Sequence, residues 1–141
     1  MSLSRRDLSF LLPLLTAGRV SAQSKGLLPS KIYHGSKIAY EGDEKKKGRE
    51  FFHGVNHSGF AFEAHETILG KGVQTHDPHK HEHEEIILVI EGTVETWIEG
   101  KTEQAEAGSV IYFGSNQMHS ARNAGGAPCR YFVVELRGNE A

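Results

Sequence analysis

The sequence predicts an all-β domain, a sandwich or barrel built from many short strands. From Phe51 onward, apolar and β-branched residues gather in short runs at close, regular spacing. Glycine punctuates those runs at Gly92, Gly100, Gly108 and Gly114, where the chain has to turn. No internal repeat is present, so one barrel is expected rather than two.

The elements follow in chain order from local pattern. Gln23 to Lys37 reads as a leader with Pro29 and Gly35, loosely ordered or covering a neighbouring surface. The mixed charge run from Glu41 to Glu50 reads as a solvated loop without chemistry of its own. Strands are expected at Phe51-Phe52, Phe60 to Leu69, Ile86 to Glu91 and Thr93 to Ile98. Further strands are expected at Thr102 to Ala105, Val110 to Phe113, Met118 to Asn123 and Tyr131 to Leu136. Glu99-Gly100-Lys101 marks a tight hairpin.

Composition narrows the function classes. A chain of 141 residues, 38% hydrophobic and 24% charged, suits one soluble core. The formal net charge of −2 and the lack of a basic patch predict no nucleic-acid partner. One cysteine, Cys129, excludes an internal disulfide framework; its apolar run Cys129-Arg130-Tyr131-Phe132-Val133-Val134 makes it a small buried hydrophobe. The chain has no phosphate-binding glycine loop, no nucleophile elbow and no paired-cysteine zinc ribbon.

The amino terminus reads separately. Ser4-Arg5-Arg6-Asp7-Leu8-Ser9-Phe10-Leu11 resembles the twin-arginine export signal. Its apolar stretch, Leu8 to Ala17, is too short to span a bilayer and is broken by Pro13. Val20-Ser21-Ala22 offers small residues for cleavage. The expected divisions are a signal over 1–22, a leader with the first strands over 23–58, a barrel over 59–137 and a tail over 138–141. The expected location is periplasmic or otherwise exported, with no stable membrane insertion after cleavage.

The chemistry concentrates in Pro78-His79-Lys80-His81-Glu82-His83-Glu84-Glu85. On an extended chain alternate residues share a face, so His79 and His81 point the same way. Imidazole nitrogens with one carboxylate make a borderline-hard donor set suited to a divalent first-row metal. His119, in a second ordered stretch, is placed to complete it.

These two stretches resemble the paired motifs of the cupin superfamily. The first runs from Gly72 through His79-x-His81, three residues, Glu85 and six residues to Gly92. The second runs from Gly108 through five residues, Gly114-Ser115-Asn116, two residues, His119 and three residues to Asn123. Gly72 stands one position early, Gly114 replaces the motif proline, and Asn116 replaces the motif's second glycine. No ligand position departs from the motif.

The resemblance implies a single-domain jelly-roll β-barrel with His79, His81, Glu85 and His119 as metal ligands. It implies a divalent transition metal; loading before export of the folded chain favours Fe or Mn, with Ni, Zn and Cu also able to fit. It further implies a small-molecule ligand or substrate and a homodimer joined through a barrel edge. Two function classes stay open: a metalloenzyme of dioxygenase or isomerase type, and a non-catalytic cupin that binds a small ligand or serves as a scaffold.

Residues around the motifs have weaker readings. His83 is expected at the rim or behind a ligand imidazole, and His76 on the surface near the pocket mouth. Asn123 reads as a turn or hydrogen-bonding residue, and Gln117 as reaching substrate or solvent. Glu63 and His65 share a face with Thr67 and Leu69. If that face is inward, they are the candidate catalytic acid or base; if it is outward, Phe60, Phe62 and Ile68 fill the core instead.

Overall fold

Strand alternation sets the architecture. The computed structural model describes residues 27–138; the segment read as an export signal and the last three residues lie outside it. The strands are Glu41–Gly42 (β1), Lys46–Val55 (β2), Ala61–Leu69 (β3), Glu84–Glu91 (β4), Thr93–Ile98 (β5), Lys101–Glu106 (β6), Val110–Phe113 (β7), His119–Asn123 (β8) and Cys129–Gly138 (β9). A single 3-10 turn, Gly35–Lys37, precedes them. They form a six-stranded sheet, order β1-β2-β3-β9-β4-β7, and a three-stranded sheet, order β6-β5-β8. Every strand pairing is antiparallel, and β9 lies between β3 and β4. This is the jelly roll expected from the motifs.

The two sheets share one core. Leu69, Ile87, Val89, Phe113, Tyr131 and Val133 from the large sheet pack with Val94 and Ala121 from the small one. Burying an aliphatic or aromatic side chain of this kind contributes about 1.5–3 kcal/mol. Cys129 is 0% exposed in that cluster, a small hydrophobe as expected, and burial pushes its thiol up.

The expected strands sit within two residues of those observed except the first, where Phe51-Phe52 proves to be the middle of Lys46–Val55. The charge run is no simple loop, because Lys46 to Glu50 begins β2 and Glu41–Gly42 pairs with it. A cross-strand partner draws it into the sheet. Arg49 donates to Glu66 on β3 (Nε–Oε2 2.7 Å), whose carboxylate also receives Arg130 Nη1 from β9 at 2.8 Å. Glu66 is 2% exposed. Phe51 is the extra residue of a bulge between Glu50 and Phe52. Beyond it, Phe52 packs on Phe62 (ring centroids 5.2 Å) and Tyr33 packs on Phe52 (4.8 Å). The leader therefore covers the outer face of β2 and β3, pinned by Leu28 N donating to Val55 O at 2.9 Å.

The turns match their residues. Glu99 (φ 46°) and Gly100 (φ 86°) form the two-residue β5–β6 hairpin, where both central positions need positive φ. Asn123 ties loops together: its Nδ2 donates to the carbonyls of Leu69 and Gly70 at 3.0 Å and of Ala127 at 2.8 Å. Among the described residues no helix is long and apolar enough to cross a membrane.

Glu66 should act as an outer-face clamp. Burial alone would raise its carboxyl, but hydrogen bonds from Arg130, Arg49 and Tyr40 outweigh that and hold it below the usual range. A depressed folded-state value means stability present above the unfolded carboxylate value and lost as pH falls through the folded one. Glu66→Gln should therefore lower stability at pH 7 by about 2 kcal/mol in urea titration. The variant should also lose less stability than the parent between pH 5 and pH 3, on the order of the window in which carboxylates protonate.

Candidate functional site

Residues 72–83 run as an irregular strand along the open edge of β8. His79 N donates to His119 O at 3.0 Å, and His119 N returns the bond to His79 O at 2.9 Å. Thr75 N donates to Ala121 O at 2.9 Å, and Asn116 N to His81 O at 2.7 Å. Asn116 has φ 58°, the left-handed conformation the motif glycine would supply; asparagine tolerates it, so the departure leaves the turn intact.

That backbone brings His79, His81 and His119 together, with one ring nitrogen of each within 4.8 Å of the others. Their tautomers follow from their partners. His81 Nδ1 donates to the His83 carbonyl and His119 Nδ1 to the Gln117 carbonyl, each at 2.8 Å. Both Nε2 atoms therefore carry a lone pair, and both are buried without a hydrogen-bond partner, as is His79 Nδ1. His119 is 1% exposed and stacks on Phe113 (centroids 4.1 Å); burial pushes its imidazole below the usual range, which favours the neutral form a ligand requires. Buried orphan nitrogens converging on one point fit a metal ion well, since each would otherwise forfeit about 1–3 kcal/mol of solvation.

Glu85 joins a second group, with His81 and His83. Its Oε1 lies 3.2 Å from His81 Nε2 and 3.6 Å from His83 Nε2. His83 is more deeply involved than a rim residue. Its ring stacks on His81 at 3.5 Å and 3°, and its Nε2 reaches Glu135 Oε2 at 3.7 Å. The ligand-orienting role expected of it falls to its carbonyl. His76 is exposed at the cavity mouth, its ring 3.9 Å from that of His79. Gln117 also holds His119 through its backbone, while its side chain is exposed. His34, His53 and His57 are exposed and lie outside these groups.

A cavity of about 420 Å³ adjoins the histidines. Glu63, His65 and Thr67 line it from β3, Tyr131, Val133 and Glu135 from β9, and Glu85 and Ile87 from β4. Glu85 thus belongs both to the cavity wall and to the histidine cluster. The face of β3 that carries Glu63 and His65 is inward. The phenylalanines that made the opposite choice plausible are accounted for by the leader: Phe62 packs outward beneath it, and Phe60 is 53% exposed. His65 Nδ1 lies 3.1 Å from Glu63 Oε1, and Arg137 Nη2 donates to Glu63 Oε2 at 3.1 Å and to Glu135.

Glu135 escaped the sequence reading. It forms a third group with Glu63 and His65, and its signal was present: a carboxylate in phase with Cys129, Tyr131 and Val133 on β9. Burial pushes the Tyr131 hydroxyl up, so it stays neutral.

Solved structures share this fold. The chain resembles KdgF from Halomonas sp. at 17% identity and TM-score 0.65, over 79% of this chain and 98% of that one. It resembles the polyketide cyclase RemF from Streptomyces resistomycificus at 22% identity and TM-score 0.62, over 79% and 82%. It also resembles a protein described as a predicted oxalate decarboxylase from Thermotoga maritima at 20% identity and TM-score 0.62, over 76% and 99%. No curated protein matches the chain. The cupin domain family model matches residues 65–135, the stretch that holds both histidine motifs and all of the cavity's β4, β7 and β8 walls. With that match over half its length, the chain belongs to the cupin domain family.

Proposed function

We propose that His79, His81, Glu85 and His119 hold one divalent transition metal and that the chain is a metalloenzyme acting on a small organic molecule. The observation that carries this reading is the convergence of three buried, unpartnered imidazole nitrogens beside a carboxylate shared with the cavity. A bound ion would supply Lewis-acid or oxygen-activating chemistry of the kind used by dioxygenases and isomerases. The chain's own acid–base groups are Glu63 and His65, which line the cavity and contact each other at 3.1 Å. In the proposed mechanism His65 holds or releases a proton at Nε2, and Glu63 at Nδ1 fixes the orientation of the ring.

Iron or manganese is favoured, because a chain exported after folding would meet its metal in the cytosol. That argument rests on the twin-arginine-like residues and carries the exported location with it. A homodimer is part of the same reading. The barrel edge at β7 exposes Val110 and Tyr112 beside Ile86 and Leu88, an apolar strip suited to self-association.

His81→Ala should release most of the metal found by elemental analysis of protein from its own host, while His53→Ala should keep it. Unchanged metal content in the first variant would show that the ligands lie elsewhere. Adding the resident metal to stripped protein should raise the unfolding free energy from denaturant titration with concentration, by about 2.7 kcal/mol at a hundred times Kd. In oxygen-consumption assays on phenolic and dicarbonyl compounds, Glu63→Gln should cut turnover by roughly 10²–10⁴ with metal content intact. Light scattering at micromolar concentration should report twice the mass of one chain; a monomer there removes the dimer from the proposal.

A further inference from the structure

We infer that the cavity takes an uncharged, hydroxyl-bearing small molecule and turns away carboxylates and phosphates. The inference rests on the metal-site reading above and adds a substrate class to it. Its starting point is a row of carboxylates. Glu63, Glu135 and Glu85 are directly paired across β3, β9 and β4, and all three line the cavity. Directly opposed residues hold their Cβ atoms about 4.5–5.5 Å apart, and like charges so placed repel. Glu41 and Glu50 add two more carboxylates to the lining.

Both arginines nearby are already engaged with carboxylates. Arg49 lines the cavity, but its guanidinium is directed to Glu66 and to Gly35 O (2.6 Å) on the outer face. Lys46 Nζ donates to Thr75 O at 3.0 Å. Arg137 neutralises part of the row through Glu63 and Glu135 without lining the cavity. A ligand therefore meets a wall of acceptors in which Lys46, held on a neutral carbonyl, is the one Lys or Arg among the described lining residues not ion-paired to a carboxylate. Hydroxyl groups satisfy such a wall by donating. A ligand carboxylate or phosphate held away from the metal would add like charge about 6 Å from Glu63 and Glu135, worth roughly a hundredfold in binding at an effective dielectric constant of about 20, and a divalent ion held by Glu85 and the histidines would offset part of that. Partial solvent exposure reduces that to about tenfold.

The rest of the cavity suits the same ligand. Ile87, Phe113 and Val133 offer apolar surface to a carbon skeleton, and about 420 Å³ limits it to a small molecule. Beside this wall, His119 is 1% exposed with its Nε2 unpartnered, so a built polar site adjoins the carboxylate row.

The test uses two probes that differ by one charge, catechol and 3,4-dihydroxybenzoate. Both chelate metals through adjacent hydroxyls, so each reports on an open metal position. Metal uptake by the full chain is measured first, then binding of each probe by calorimetry at low salt. After correction for each probe's affinity for the free metal, catechol should bind at least tenfold tighter. Glu135→Gln should narrow that gap about tenfold with metal content unchanged, and Glu50→Gln at the mouth should narrow it less. Equal or tighter binding of 3,4-dihydroxybenzoate, or a gap that neither variant moves, overturns the inference while leaving the metal site standing. A chain that takes up no metal overturns both.

Discussion

The paired backbone hydrogen bonds between His79 and His119 tie the loop before β4 to the start of β8, and the site depends on that tie. Residues 73–75 also pair with β8, and the His79 bonds extend that pairing to the point where the two histidine motifs meet. With it, His79 and His119 are opposed like residues of a ladder, and His81 follows on the same face two positions later. The imidazoles are then fixed from behind by main-chain carbonyls of His83 and Gln117. Carbonyl acceptors cannot be lost by titration, so the tautomer that leaves Nε2 free is built into the backbone.

Much of this was legible because it is local. His-x-His on extended chain, glycine at the turns and the Glu99-Gly100 hairpin each depend on neighbours a few residues away. Asn116 was read as a departure from the motif, yet it adopts the backbone conformation of the glycine it replaces. The orientation of Glu63 and His65 was not legible, because β3 is covered on both faces. Alternation finds two faces but ranks them only when one is polar, and here Phe62 and Ile68 oppose Glu63 and His65. What decides the matter is the leader: Tyr33 and Phe52 cover Phe62 on the outside. Glu135 and the strand character of Lys46 to Glu50 were hidden for a related reason. Their partners lie on other strands, Glu63 and Glu85 for one and Glu66 for the other.

The same pair of strands carries two carboxylate systems that differ in how they are balanced. On the outer face of β3, Glu66 is 2% exposed and receives two arginines and the Tyr40 hydroxyl. Three positions away, on the inner face, Glu63 shares Arg137 with Glu135, and Glu85 ion-pairs with His81 and His83. A carboxylate held for stability tends to be saturated with donors, since an unpaired buried charge costs several kcal/mol. The inner row stops short of saturation, and it does so on the wall of a cavity. A group with acceptor capacity to spare at such a place is available to a ligand. The contrast between Glu66 and Glu63, three apart on opposite phases of one strand, is thus between a carboxylate saturated with donors on the outer face and one with fewer donors on the cavity wall.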